Sequence, residues 1–386
     1  MKHAPAAAGH LPHPQAGQAM TGAEIIVQVL ADEGVDTIFG YSGGAILPTY
    51  DAIFRWNERQ AGPGGKPIPL IVPANEQGAG FMAAGYARAS GRVGVCMVTS
   101  GPGATNTVTP VRDCAADSIP IVVICGQVPT AAIGSDAFQE APVPNIMGAV
   151  AKHCFLVTDP TRLEATVRTA FEIARSGRPG PVVVDVPKDV QNWQGEFKGE
   201  GQLDVRGYSH RMQQLRRNAL TEDECATFFA RLAEAERPLI YAGGGVIHGE
   251  ASEALRKFAA DLGLPVVTTL MGIGAVDTTQ PLSMRMLGMH GAAFANYAVD
   301  DCDFLLALGA RFDDRVAGVP ARFAPHARCI AHIDADASEV NKVKRVQWSH
   351  VGLLPPALAA LGAYARRAAF KRDWSAWHAH LGELKA

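Results

Sequence analysis

The residue best placed to do chemistry is Glu76, within VPANEQGAGFMAAGYARA, Val72 to Ala89. The stretch reads as a strand end, a tight turn and a helix of very small residues, with one carboxylate where the helix starts. Two readings are open from the pattern alone. An acid in a first helical turn is favoured by the dipole and by the free amides there. The same carboxylate, desolvated, would serve beside a cofactor. On that reading Gly78, Ala79, Gly80, Ala83, Ala84 and Gly85 give a ligand or a second subunit room to approach.

Other segments carry the same ambiguity. TSGPGATN, Thr99 to Asn106 with Pro102 inside it, follows a strand and opens a helix, so its free amides suit anions or polar ligand edges. GYSGGAI, with Gly43, Gly44 and Ala45, has the same form. Neither is a Walker loop, because no Gly-Lys-Ser/Thr occurs. GSDAFQE puts Phe138 and Gln139 in a loop after a parallel strand, where sites are built, though Phe138 serves equally as a loop anchor. PKDVQ puts Lys188 at a strand end, as a solvated lysine or a site lysine. AGGGV (Gly243, Gly244, Gly245) lies between strand and helix without completing G-x-G-x-x-G. GARFDDRVAG clusters Arg311, Asp313, Asp314 and Arg315 after an apolar strand, either paired internally or facing a ligand. HIDAD adds Asp334 and Asp336 at the next strand end, where an acid suits a ribose hydroxyl.

Alternating strands and helices must position these residues. Thr21 and Glu24 form a capping box for a first helix that Gly34 stops. Strands are predicted at VDTIFGY, IPLIVPA, VGVCMVTSG, IPIVVICGQ and GPVVVDVP. Helices are predicted at GGAILPTYDAIF, Ala104 to Cys114 and Leu163 to Ser176. Near-continuous β-branched strands mean a parallel sheet covered on both faces, so the fold class is α/β and doubly wound. Residues 191–218 are polar and aperiodic and read as a linker. A second α/β unit over residues 219–365 contains strands RPLIYA, LPVVTTL, CDFLLALGA and RCIAHIDAD. Residues 366–386 read as an amphipathic linker helix leading onward. Residues 1–20 read as a disordered extension.

The bulk numbers set the class. A chain of 386 residues suggests two or three domains, and 48% hydrophobic residues allow a large core. A formal charge of -3 with mixed signs gives no reason to expect nucleic-acid or membrane binding. Seven cysteines, an odd count without C-x-x-C, read as reduced thiols, and neither a zinc site nor another metal site in this chain is expected. With no long apolar run and no secretory signal, a cytoplasmic location is expected.

Six motifs in order and spacing carry a resemblance: VPANEQGAGFMAAGYARASGRVGVCMVTSGPGATN, GQVP, IGSDAFQE, RPGPVVVDVPKDVQ, LGMHG and LGARFDDRVAG. Together they resemble the large catalytic subunit of the acetolactate synthase family over about residues 21–365. The resemblance implies a thiamine-diphosphate enzyme that joins pyruvate to a second 2-keto acid with loss of CO2, in branched-chain amino-acid synthesis. It implies a pyrimidine-binding domain over residues 21–190 and a central FAD-binding domain over residues 219–365. It implies a dimer or tetramer and a possible regulatory small subunit.

The same resemblance assigns roles to residues. Glu76 matches the acid on the aminopyrimidine ring, with Gly43, Gly44, Ala45, Pro102 and Asn106 around the cofactor. Phe138 and Gln139 match the substrate-side loop, Lys188 the channel entrance, and Arg315 the arginine for the second keto acid's carboxylate, a task suited to a guanidinium fork. Arg178, Gly243, Gly244, His290, Arg311, Asp313 and Asp334 match positions around a largely structural FAD. Asn75 stands where the family has His, and Ser42 where it has Pro.

The family's third domain, with Gly-Asp-Gly and Asn-Asn holding Mg2+ for the diphosphate, has no counterpart in these 386 residues. A truncated form, or one half of a split enzyme with a separate diphosphate-binding chain, is therefore expected. The alternatives are another thiamine-dependent carboligase or decarboxylase, or a catalytically inactive FAD- or partner-binding module.

Overall fold

The computed structural model describes residues 12–386, which divide into two compact units, residues 12–206 and 207–386. In the first unit the strands are β1 (Ala19–Thr21), β2 (Ile38–Tyr41), β3 (Leu70–Ile71), β4 (Gly94–Val98), β5 (Ile121–Gln127), β6 (His153–Leu156), β7 (Val182–Pro187) and β8 (Gln194–Glu196). Its helices are α1 (Gly22–Asp32), α2 (Leu47–Arg59), α3 (Glu76–Ser90), α4 (Pro102–Thr105), α5 (Val108–Asp117), α6 (Val143–Gly148), α7 (Leu163–Arg175) and α8 (Lys188–Asn192). Six strands form one sheet in the order β3-β2-β4-β5-β7-β6, every pair parallel. β5 and β7 are buried along their whole length, as their near-continuous apolar runs predict. Helices α1 and α7 pack on one face, α3 and α5 on the other.

Local rules explain most of these bounds. The capping box of α1 forms as expected: Thr21 Oγ1 accepts from Glu24 N–H, and Glu24 Oε2 accepts from Thr21 N–H. The strand expected over IPLIVPA reduces to two residues, because Pro67, Pro69 and Pro73 cannot donate to a ladder. The helix expected from Ala104 to Cys114 is two helices. Pro110 has no N–H and its ring would clash with the carbonyl of residue 106, so the chain breaks between α4 and α5.

In the second unit the strands are β9 (Pro238–Ala242), β10 (Val266–Thr268), β11 (Ser283–Met286), β12 (Phe304–Leu308), β13 (Cys329–Asp334) and β14 (Trp348–Val351). Its helices are α9 (Tyr208–Arg217), α10 (Glu222–Ala233), α11 (Gly244–His248), α12 (Ser252–Leu262), α13 (Ala293–Asp301), α14 (Asp314–Ala317), α15 (Leu354–Arg367) and α16 (Ser375–Lys385). The sheet runs β11-β10-β9-β12-β13-β14, again all parallel. Phe228, Phe258 and Leu358 cover one face, and Ala295, Val299 and Trp377 the other.

Three expectations about the margins are corrected. Residues 1–11 of the expected extension lie outside the described residues, but residues 12–20 are not shapeless: β1 pairs antiparallel with β8. Residues 191–218 are not a bare linker, since they complete α8 and contain β8 and α9. The tail does not lead away from the second unit. Trp374, Trp377 and Leu381 are buried in its core, and Trp377 Nε1 donates to the Pro238 carbonyl at 2.9 Å. Among the described residues, no helix is long and apolar enough to cross a membrane. All seven cysteines are free thiols, six of them buried.

Candidate active site

In the first sheet, the winding of successive strands changes direction between β2 and β4. Ligands of open parallel sheets lie at such a switch point, outside the carboxyl ends of the strands. The loops after these two strands are GYSGGAI and TSGPGATN. Gly43 packs on Thr99: a Cβ there would lie 2.4 Å from Thr99 Cγ2. The Ala45 N–H donates to Thr99 Oγ1 at 3.3 Å, and the Ala45 carbonyl accepts from Gln191 Nε2 at 2.8 Å. Gly44 faces open space.

Glu76 enters this crevice from the start of α3. Asn75 caps the helix, its side chain accepting from Gly78 N–H at 2.8 Å. This leaves the Glu76 carboxylate free to turn inward, where it is only 9% exposed. Asn106 donates to its Oε2 at 2.9 Å. Asn106 is the C-cap of α4, so the break that Pro110 imposes also delivers this partner. A Cβ on Gly103 would stand 3.6 Å from Glu76 Oε1 and 2.7 Å from Thr99 Cγ2. Burial pushes the Tyr50 phenol and the Cys96 thiol well up, and the Glu76 charge adds to both shifts.

The small residues of α3 do not mainly make room for a ligand. Ala79, Gly80, Ala83 and Ala84 are buried inside the unit, and a Cβ on Gly80 would lie 2.4 Å from Pro110 Cγ. Only Gly85 faces open space.

The Phe138–Gln139 loop lies against the same turn. Gly101, at φ +55°, has the Gln139 carbonyl 2.5 Å from where its Cβ would be, and Pro102 opens α4 directly after it. Gln139 itself holds φ +59°, and Phe138 is 88% exposed. Lys188 is half-buried at the start of α8, directly after β7. Arg178 is not brought here. It bonds Ser118 Oγ at 2.9 Å, at the amino ends of the strands.

The second sheet has its own switch point, between β9 and β12. Gly243 and Gly245 follow β9 and pack directly on Gly309, which follows β12: Cβ atoms on them would lie 2.1 Å from the Gly309 carbonyl oxygen and 2.6 Å from Gly309 Cα. Gly244 lies against Met271. Arg311 reaches Asp313 at 3.4 Å, and Asp313 Oδ1 is buried without a hydrogen-bond partner among the described residues. Asp334 ends β13, its Oδ1 accepting from Asp336 N–H at 2.8 Å. His332 is fully buried, its Nε2 3.6 Å from Asp334 Oδ2, and neither ring nitrogen has a hydrogen-bond partner among the described residues. Arg315 is exposed, and its carbonyl accepts from Met289 N–H at 2.8 Å, beside exposed His290. Gly243, Gly244, His290, Arg311, Asp313, Arg315 and Asp334 thus all sit at carboxyl strand ends of this unit. No group of three or more metal-ligating side chains occurs among the described residues.

Comparison with known proteins finds the same enzymes in both units. Residues 20–147 match the thiamine pyrophosphate enzyme N-terminal TPP binding domain, and residues 225–361 match the central domain of the same enzymes. The chain belongs to the thiamine pyrophosphate enzymes, in their acetolactate synthase group. It is 43% identical to "Acetolactate synthase large subunit" of Corynebacterium glutamicum over 96% of this chain and 57% of that one. It is 43% identical to "Acetolactate synthase isozyme 2 large subunit" of Escherichia coli, over 94% of this chain and 64% of that one. It is 43% identical to "Acetolactate synthase 1, chloroplastic" of Nicotiana tabacum, over 94% and 52%. The chain thus spans between 52% and 64% of the length of these relatives.

Five buried polar residues lie inside the segments quoted above without being singled out there. Tyr50, Gln127, Asp185 and Gln191 in the first unit, and His332 in the second, are buried polar groups. Asp185 and His332 did leave a trace, as lone ionisable residues inside apolar strands. Gln127 and Gln191 gave no sign of their partners, which include Asp185, 58 positions from Gln127, and Ala45, 146 positions from Gln191.

Proposed function

We propose that the chain forms the pyrimidine-binding and central parts of an acetolactate synthase catalytic subunit, condensing pyruvate with a second 2-keto acid and releasing CO2. The observation that carries this reading is the buried Glu76 carboxylate at the first switch point, fixed by Asn106 at 2.9 Å. Thiamine diphosphate, when bound, supplies a nucleophilic carbon and an electron sink. Glu76 would hold its pyrimidine edge. A carboxylate in a cleft poor in water accepts a hydrogen bond strongly and raises the basicity of the ring it contacts. Thr99, Gly43 and Gly103 keep the space beside that carboxylate narrow. Phe138 and Gln139 would close the substrate side, Lys188 would line the entrance, and Arg315 would take the second acid's carboxylate.

FAD is the proposed ligand of the second switch point. The orphaned Asp313 Oδ1 and the Asp334 carboxylate offer acceptors for ribose or phosphate-bound hydroxyls, and the glycines after β9 keep the backbone low. His290 belongs to the same reading. Mg2+ and the diphosphate would be held by a diphosphate-binding domain outside these 386 residues. A second copy of the chain is also proposed, supported by exposed Ile71, Val72, Phe81 and Met82 on and before α3. A regulatory small subunit fits the names of two relatives as large subunits. A cytoplasmic location completes the reading.

The test is complementation. The chain is mixed with a diphosphate-binding domain from an acetolactate synthase, thiamine diphosphate, Mg2+ and pyruvate, and acetolactate is measured. Activity is expected in the mixture, and Glu76→Gln should lower it by about 100-fold or more. An unchanged rate in Glu76→Gln would sink the assignment.

A further inference from the structure

Behind the Phe138–Gln139 loop lies a polar pair on an otherwise apolar sheet face. Gln127 ends β5 and is 2% exposed; Asp185 lies within β7 and is fully buried. Cys125 faces Asp185 and Gln127 faces Pro187 across the ladder, so Gln127 and Asp185 are diagonal neighbours on one face. Gln127 Nε2 donates both to Asp185 Oδ2 at 2.9 Å and to the Ala141 carbonyl at 3.1 Å. Its Oε1 accepts from Val128 N–H at 2.9 Å. The amide is therefore locked in one orientation, with both of its N–H groups committed.

What this amide holds is the exit of the loop. Ala141 follows Glu140, whose carboxylate closes the loop by accepting from the backbone N–H groups of Gly134 and Ala137. Between them Gln139 holds φ +59°, which a side-chain-bearing residue keeps only where its surroundings impose it. A buried carboxylate in a β-branched strand is costly, and an apolar residue would fill the site without that cost. Asp185 Oδ1 has no hydrogen-bond partner at all among the described residues. Packing does not account for Asp185; the orientation of Gln127 does.

We propose that Asp185, acting through Gln127, is a positioning residue that sets the Phe138–Gln139 loop over the Glu76 crevice and thereby where a 2-keto acid is received. The role in substrate placement rests on the acetolactate synthase reading; the latch itself does not. Asp185→Leu removes the acceptor, frees the Gln127 amide and releases the Ala141 carbonyl. Asp185→Asn keeps an acceptor oxygen and should preserve the latch.

Hydrogen–deuterium exchange on the 386-residue chain tests this without any cofactor. In Asp185→Leu, amides of residues 134–141 should exchange about tenfold faster or more, while β5 and β7 stay protected. Asp185→Asn should stay within about twofold of the parent, as rescue by the conservative change requires. If Asp185→Leu fails to fold, Gln127→Met, which removes the donor to Asp185 and Ala141 together with the acceptor of the Val128 N–H, takes its place with the same expectation. Loop exchange unchanged in a folded variant, or raised equally across the whole unit, overturns the latch. Failure of the Glu76→Gln complementation test would instead strike the catalytic reading and leave this result standing.

Discussion

Two buried carboxylates of the first unit, Glu76 and Asp185, differ in what they face, the one a crevice and the other the fold. Glu76 has a partner in Asn106 and an opening toward the crevice. Asp185 has neither opening nor second partner, and burial raises its carboxyl from 3.8 to about 7, opposed by the Gln127 hydrogen bond. The titratable groups facing it are Cys125 and Cys154; burial holds both thiols neutral, Cys154 at about 12. The sign follows directly. The native state holds this proton more tightly than the unfolded chain, so the contribution to stability is full below pH 4 and is lost as pH rises towards 7. The slope in that window approaches about 1.4 kcal/mol per pH unit. Urea unfolding at pH 5 and pH 8 should therefore show the parent losing stability relative to Asp185→Asn. A parallel response in both proteins would mean that Asp185 stays charged in the fold.

At the scale of elements, breaks matter as much as helices. Pro110 separates α4 from α5 and so places Asn106 at a helix end beside Glu76. That break is legible in the sequence once the clash of a proline ring with the carbonyl four residues back is considered. The glycine loops are less legible, because what each meets is distant in sequence. Gly245→Ala would set a Cβ 2.6 Å from Gly309 Cα, backbone that cannot move aside. It should destabilise the second unit by about 1–3 kcal/mol or more in denaturant titration. Gly44→Ala, with nothing within 4 Å, should stay within about 0.5 kcal/mol of the parent. Equal effects at the two positions would contradict the close approach at the second switch point.

For the molecule as a whole, two parallel sheets each bring their chemistry-bearing residues to the carboxyl ends of their strands, beside a change in winding direction. The second unit is closed by α16, whose Trp377 is 2% exposed. Trp377→Ala should cost that unit about 3–5 kcal/mol by the loss of a buried indole. Calorimetry of residues 207–386 alone checks this; a truncation lacking α16 that melts like the parent would restore the linker reading of the tail.

The sequence by itself determined the α/β class, most strands of both sheets, the capping box of α1 and the motif set that marks the family. Those features are local: periodicity, β-branched runs and turn residues act over a few positions. Short strands escaped, as with β6, β11 and β14, because four residues carry too little period to register. Tertiary structure alone decided that Asn106 meets Glu76, that the small residues of α3 pack inward, and that Gln127 joins Asp185 to Ala141. Each of these depends on strand order and register, and on which side chains the low-dielectric interior leaves as one another's only partners.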